Sequence, residues 1–202
     1  MPNKNSGKTA AILLASGFSE RFGGKNKLLI HFRGKPLARY ALELAAGMNF
    51  SGGIFLIAAS GDVAALAADI GAVSVIKNNA PEKGLRESVR LGLESAGTEP
   101  EYYLFFPCDQ PFLDADTVQL ILDARAHGCI VEPCYGGRPG NPCLFSSVFR
   151  EDLLSLNEGE TPRLIKTRHP QALRAVEITS PLALEDIDNE ESFQRYSQNF
   201  NL

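Results

Sequence analysis

Short apolar segments alternate with amphipathic segments from residue 9 to about residue 127, and this alternation limits the chain to few folds. The apolar segments have the length of buried strands and cover residues 9–14, 53–59, 73–76 and 102–106. Helices are predicted from Pro36 to about 45, at 62–70, at 85–96, and from Asp114 or Asp116 to about 127. This order predicts an α/β fold with three αβα layers, in which helices cover a mostly parallel, doubly wound, Rossmann-like sheet.

The second half of the chain is less regular. Strands are predicted at residues 130–133 and 142–145, on either side of a loop rich in glycine and proline. A helix at 146–156, a strand at 174–178 and a closing helix at 190–197 follow. The sequence contains no internal repeat and no linker, so we expect a single domain.

Composition and charge narrow the possible functions. The 202 residues carry a net charge of −4, with 44% hydrophobic and 22% charged residues, which is ordinary for a globular enzyme. The acidic balance argues against nucleic acid as a partner, and no segment has the length of a membrane span. Residues 1–8 are polar and unlike a signal peptide, so we expect a cytoplasmic protein with no membrane partner. The four cysteines fit no common zinc spacing and are predicted to be buried, reduced thiols.

A loop rich in small residues directly follows the first strand, at residues 14–27. In open parallel sheets, ligands bind at the carboxyl ends of the strands. Small residues let backbone N–H groups approach a polyphosphate, while Arg21 and Lys27 add fixed positive charge. The spacing matches neither a P-loop nor a dinucleotide fingerprint. Taken alone, the segment is equally typical of a flexible glycine-rich loop with solvated charges.

Two further segments could contribute chemistry. Asp109 follows the strand at 102–106, where a carboxylate is well placed to hold Mg²⁺, although an aspartate there could also cap the next turn. Gly84 begins the helix at 85–96 and leaves N–H groups exposed, with Ser88 one turn further along. An ordinary surface helix would have the same pattern.

Five segments, taken in order, resemble the MobA-like nucleotidyltransferases, and bacterial molybdenum cofactor cytidylyltransferases in particular. They are LLASGFSERFGGKNKLL, GLRESVRLGL, FPCDQPFL, GGRPGNPCLF and LEDIDNEESF, and the resemblance runs from about Ala10 to Phe193. It implies one nucleotidyltransferase domain over residues 1–202, of the nucleotide-diphospho-sugar transferase type. Within it, 1–8 would be a flexible terminus, 9–132 the nucleotide-binding half and 133–202 the acceptor-binding half.

The resemblance also implies roles for individual residues. The catalytic residues would be Arg21, Lys27 and Asp109. The nucleotide would contact Leu14, Ala15, Ser16, Gly17, Arg21, Lys27, Gly84 and Ser88. Asp109 and Asp188 would bind Mg²⁺, with Asp186 competing for the place of second ligand, and Asn141 and Arg163 would bind the acceptor.

The implied reaction moves CMP from CTP to the phosphate of the molybdenum-pterin cofactor and releases pyrophosphate, for delivery to a molybdenum hydroxylase client. The opening reads Leu-Ala-Ser-Gly, whereas the cytidylyl branch usually has Leu-Ala-Ala-Gly and the guanylyl branch Leu-Ala-Gly-Gly. Ser16 therefore leaves GTP open as the donor. The same segments are also compatible with transfer to a sugar or polyol phosphate, and with a non-catalytic carrier or chaperone of the cofactor.

Overall fold

The computed structural model describes residues 7–17 and 26–198. Its strands are β1 Thr9–Ala15, β2 His31–Phe32, β3 Lys35–Pro36, β4 Ile54–Ala58, β5 Val73–Lys77, β6 Tyr102–Pro107, β7 Ile130–Tyr135, β8 Arg138–Pro139, β9 Cys143–Ser146 and β10 Leu173–Glu177. Its α-helices are α1 Leu37–Gly47, α2 Gly61–Ala65, α3 Leu85–Ala96, α4 Ala115–Asp123, α5 Arg150–Leu154, α6 Arg163–Arg168 and α7 Glu190–Gln198.

The strands form one large sheet in the order β10-β7-β9-β6-β1-β4-β5, with β8 paired to β7. β1 lies parallel to both β4 and β6, β5 continues parallel to β4, and β10 lies parallel to β7. β9 runs antiparallel between β6 and β7. From β1 the chain builds first toward β4 and β5 and then, on the other side, to β6. This reversal creates a switch point between the carboxyl ends of β1 and β6, where such sheets bind ligands.

Alternate residues of β1 point to opposite faces of the sheet, as the strand period of two requires. Leu13 packs in the core that includes residues of α1 and α4, whereas Ile12 packs in the core that includes residues of α3 and α5. On the face that includes Ile12, α3 packs very close to β1. A Cβ added at Gly92 would lie only 2.4 Å from Ile12 Cγ2. The predicted α/β fold, in which helices on both faces cover a mostly parallel sheet in three αβα layers, is confirmed.

Several predicted elements have different bounds in the structure. The helix predicted at 62–70 is only α2, Gly61–Ala65, with Ser60 as its N-cap. Asp114, rather than Asp116, caps α4, because its side chain accepts a 2.8 Å hydrogen bond from the N–H of Thr117. The segment predicted as one helix at 146–156 begins as a 3₁₀ turn and continues as α5. The β2–β3 hairpin, β8 and α6 were not predicted, because each is very short.

The predicted division between residues 132 and 133 falls inside β7 and stays a prediction. No helix in the described ranges combines the length and apolar character required to cross a membrane.

Candidate active site

A cleft of about 660 Å³ opens at the carboxyl ends of β1 and β6. The residues predicted for the site that line it are Leu14, Ser16, Gly17, Lys27, Gly84, Ser88, Asp109, Asn141 and Arg163. The side chain of Ala15 packs instead into the core, where the residue is 2% exposed. Arg21 lies outside the described residues, so its predicted role is neither supported nor contradicted by the structure. The fold therefore brings most of the predicted residues to one cleft, although they are spread over the chain.

The loop after β1 is fixed to the neighbouring strand by Ser16. Its Oγ donates a 3.0 Å hydrogen bond to the carbonyl oxygen of Ile57, which belongs to β4, and Ser16 is almost fully buried. An alanine or glycine could not form this bond. Ser16 therefore sets the direction in which the chain leaves β1 toward Gly17, which is exposed at the cleft.

Lys27 joins two carboxylates in the cleft. Its Nζ donates to Asp109 Oδ2 at 2.7 Å and to Asp188 Oδ1 at 2.6 Å. The loops that carry these aspartates are themselves connected, because the N–H of Ile187 donates to the carbonyl oxygen of Asp109 at 2.9 Å. Burial lowers the pKa of Lys27, but the two carboxylates outweigh this effect and raise the pKa above its usual value. Lys27 is therefore positively charged at neutral pH.

Asp186 adds a third carboxylate near Lys27. Burial and, next, the nearby charge of Asp109 raise the pKa of Asp186 to about 6, although a hydrogen bond with Gln110 opposes the shift. Gln110 is itself 3% exposed, and its Oε1 has no hydrogen-bond partner among the described residues. In the part of the chain that the structure describes, three aspartates therefore surround one lysine.

The chemistry of these donors fits a hard divalent cation. Asp109 and Asp188 each place an oxygen within hydrogen-bond distance of the same cation, Lys27 Nζ, so their oxygens converge on one region. Mg²⁺ is typically held by one or two carboxylates together with substrate phosphates. Within residues 7–17 and 26–198, however, no three acidic, histidine or cysteine side chains form a complete metal site. Mg²⁺ bound by these two carboxylates would complete its coordination with water and substrate phosphate oxygens.

Ser88 lies in the first turns of α3, where a neighbouring side chain orients its hydroxyl. Asn78 follows β5, is 1% exposed, and donates from Nδ2 to Ser88 Oγ at 3.2 Å. Asn78 Oδ1 accepts a 2.9 Å bond from the N–H of Ala80, which fixes the amide. Gly84, at the helix start, has a φ of 75°, a value that glycine adopts without strain. The role of Asn78 was not predicted from the sequence, although its position as a polar residue directly after a strand could have indicated it.

The wall of the cleft also contains charged residues that the sequence did not indicate. Lys166, in α6, lines the cleft, and its Nζ donates to the buried Glu132 at 2.5 Å and to Cys143 Sγ at 3.7 Å. Burial raises the pKa of the Cys143 thiol to about 11, with Lys166 acting in the opposite direction. Glu132 is a charged residue in a strand that is otherwise buried, and a charge at such a position could have indicated a buried partner of opposite charge.

Residues 11–173 match the family described as the MobA-like NTP transferase domain. The chain is 30% identical over 161 residues to the molybdenum cofactor guanylyltransferase of Ralstonia pickettii (strain 12J), an alignment that covers 73% of this chain and 76% of the relative. It is 23% identical over 192 residues to the nicotine blue oxidoreductase of Paenarthrobacter nicotinovorans, covering 91% of this chain and 94% of that protein.

Comparison with solved structures finds proteins of the same fold. A nucleotidyl transferase from Methanothermobacter thermautotroptrophicus superposes with a TM-score of 0.79 at 19% identity, over 94% of this chain and 95% of that one. The match at this identity concerns the fold alone. Because the family match spans most of the chain and includes Lys27, Gly84, Ser88 and Asp109, the chain belongs to the MobA-like NTP transferase domain family.

Proposed function

We propose that this nucleotidyltransferase transfers a nucleoside monophosphate from an NTP to the phosphate of the molybdenum-pterin cofactor, with release of pyrophosphate. The observation that carries the proposal is the contact of Lys27 with Asp109 and Asp188 at the switch point of the sheet. The acceptor is inferred from the relative in Ralstonia pickettii, whose name describes action on the molybdenum cofactor.

The preferred donor in this proposal is CTP. The support for CTP is the resemblance of the five segments to the cytidylyltransferases, whereas Ser16, whose hydroxyl is bound to the carbonyl oxygen of Ile57, favours neither base. GTP is the second candidate, because the Ralstonia pickettii relative is named a guanylyltransferase. Ser16 and Ser88 would lie near the base, with Gly17 offering a backbone N–H group.

The chemistry requires little more than positioning and charge. The attacking group is a phosphate oxygen, which is already anionic near neutral pH, so no general base is needed. Lys27 supplies a permanent positive charge next to the transferred phosphoryl group, and Arg21 would add another. Asp109 and Asp188 would hold Mg²⁺, which when bound neutralises charge on the phosphates. Asn141 and Arg163 would orient the acceptor, so that its phosphate lies in line with the bond that breaks.

Pyrophosphate release tests the proposal. The purified chain is mixed with each of the four NTPs and Mg²⁺, with and without molybdenum cofactor. We expect release with CTP only when the cofactor is present, whereas release with GTP alone among the NTPs would assign the guanylyl reaction. If the protein binds the cofactor tightly but releases pyrophosphate from none of the NTPs, the proposed enzymatic activity is contradicted and a carrier role is supported. Release with a sugar phosphate in place of the pterin would contradict the proposed acceptor.

A further inference from the structure

A second charged cluster belongs to the wall of the same cleft. It consists of Lys166 and Cys143, which line the cleft, and of Glu132, which lies behind them. None of these three residues was assigned a role by the sequence, and the chemistry proposed above does not use them. Lys166 and Cys143 nevertheless line the same cavity as Lys27 and Asp109.

Glu132 is the unusual member of the cluster. The residue is 4% exposed within β7, yet its carboxylate accepts a 2.5 Å hydrogen bond from Lys166 Nζ. A buried ion pair of this kind adds little stability compared with two apolar side chains of similar size. The pair is therefore better explained by holding the ammonium in a defined place than by stabilising the fold.

Lys166 has a hydrogen-bond donor to offer to a ligand. An ammonium group has three N–H donors. Within the described part of the chain, its hydrogen-bond partners are Glu132 at 2.5 Å and Cys143 at 3.7 Å, the second a long and weak contact. At least one N–H is therefore available to a ligand in the cleft that Lys166 lines. Arg163, one turn earlier on α6, lines the same wall and adds a second positive charge.

Two groups of described residues at the cleft differ in charge. Around Lys27 lie the carboxylates of Asp109, Asp186 and Asp188, which suit a cation. Elsewhere on the described wall, Lys166 and Arg163 stand against the carboxylate of Glu132, which suits an anion. An acceptor that contacts both groups would therefore meet positive charge away from the reacting centre.

The strand register connects the two groups of charged residues. Cys143 in β9 lies directly beside Phe105 in β6, and Asp109 comes four residues after Phe105. Lys166 and Asp109 both line the same cleft, so one bound molecule can contact both.

We propose that Lys166, positioned by Glu132, binds a second anionic group of the acceptor, separate from the phosphate that attacks the nucleotide. The acceptor class is then a phosphomonoester that carries a second anionic group. This inference rests on the proposed function, because it assumes that the cleft accepts a phosphorylated small molecule.

Binding measurements on variants of Lys166 test the inference. The dissociation constants of molybdenum cofactor and of CTP are measured separately for wild type, Lys166→Met, Lys166→Arg and the control Arg168→Met, which alters a cation on the same helix whose partner is Glu160. We expect Lys166→Met to weaken cofactor binding about 10-fold or more and CTP binding less than about 2-fold. Lys166→Arg should retain part of the affinity, and Arg168→Met should match wild type. Unchanged cofactor binding, or equal weakening of both ligands, would overturn the inference.

A double variant separates a binding role from a structural one. Lys166→Met alone leaves the buried carboxylate of Glu132 without its partner, which could destabilise the fold. Lys166→Met with Glu132→Leu removes both charges and should restore the melting temperature. We expect this variant to fold as wild type and still bind the cofactor weakly. Recovery of cofactor affinity along with stability would contradict a direct contact.

The outcome remains interpretable if the proposed function fails. Wild-type protein that binds CTP but not the cofactor would refute the proposed acceptor. Inorganic phosphate then serves as the probe, and the backbone amide signals of α6 are followed by NMR. If phosphate shifts these signals in wild type but not in Lys166→Met, an anion site at Lys166 is supported. If phosphate has the same effect on both proteins, the anion site is contradicted.

Discussion

The ammonium of Lys27 donates a 2.6 Å hydrogen bond to Asp188, although the two residues are 161 positions apart in the chain. Lys27 follows the loop after β1, whereas Asp188 lies just before the last helix, α7. The same ammonium binds Asp109, directly after β6. The charged centre of the cleft is therefore assembled from three distant segments, and it forms only once the sheet is complete.

Asp109→Asn should abolish most of the activity while leaving the fold intact. The change keeps the shape of the side chain but removes the charge that Lys27 contacts at 2.7 Å. Loss of one such electrostatic contact lowers kcat by about 100- to 1,000-fold. Pyrophosphate release by the variant checks this, with Asp116→Asn, at an exposed position of α4, as the matched control. Equal activity of the two variants would exclude Asp109 from the chemistry.

Ser88→Ala should weaken binding of the nucleotide rather than slow the chemical step. The variant removes the hydroxyl that Asn78 orients beside the cleft. We expect the KM for the NTP to rise about 5- to 10-fold, the range for one lost hydrogen bond, with kcat within about 2-fold. Steady-state kinetics measures both constants, and Ser95→Ala, later in the same helix, is the control. A loss confined to kcat would indicate a role in the chemistry instead.

Gly92→Ala should destabilise the protein. Its Cβ would lie 2.4 Å from Ile12 Cγ2, a branched side chain that is itself fully buried, so α3 must move away from the sheet. Such overpacking costs about 1–3 kcal/mol. Gly47→Ala, in α1, is the control, because nothing lies within 4 Å of its Cβ. Urea denaturation compares the two, and we expect the control to be neutral or slightly more stable.

The cysteines should resist alkylation in the native state. All four are buried and unpaired, and burial raises the pKa of Cys143 to about 11. The pKa of Cys134 is also raised to about 11, mainly by a hydrogen bond with Glu177. A raised pKa means that the neutral thiol dominates at pH 8, and thiolate appears only as the pH approaches 11. Intact mass after iodoacetamide at pH 8 should show no label in native protein and four labels after denaturation. Rapid native labelling at pH 8 would contradict the burial.

The sequence predicted most of the first half of the fold, because its strands are continuous apolar runs and its helices have clear apolar faces. α3 was predicted with its observed bounds, Leu85–Ala96. The end of α2 was predicted less accurately. Ser60 caps the start of this helix, but no strong sequence signal marks its end. Very short elements, α6 among them, have too few residues to show a period.

The site was predicted where its residues directly follow a strand or begin a helix. Lys27, Asp109 and Ser88 were found in this way, and the structure brings them to one cleft. Glu132 and Lys166 were missed, because their pairing depends on the position of α6 against β7. Asp188 and Asp186 could not be separated from the sequence, since both lie in one loop. The structure places Asp188 in contact with Lys27, while its role as a metal ligand stays a prediction.

Transfer of label from CTP to the acceptor tests the central claim most directly. CTP radiolabelled at its α-phosphate is incubated with the purified chain, Mg²⁺ and molybdenum cofactor, and the pterin fraction is separated and counted. The proposed reaction predicts that label moves to the pterin in equal amount to the pyrophosphate released, and that Asp109→Asn abolishes both. Pyrophosphate release without labelled pterin, or label that transfers only from GTP, would contradict transfer of CMP to this acceptor.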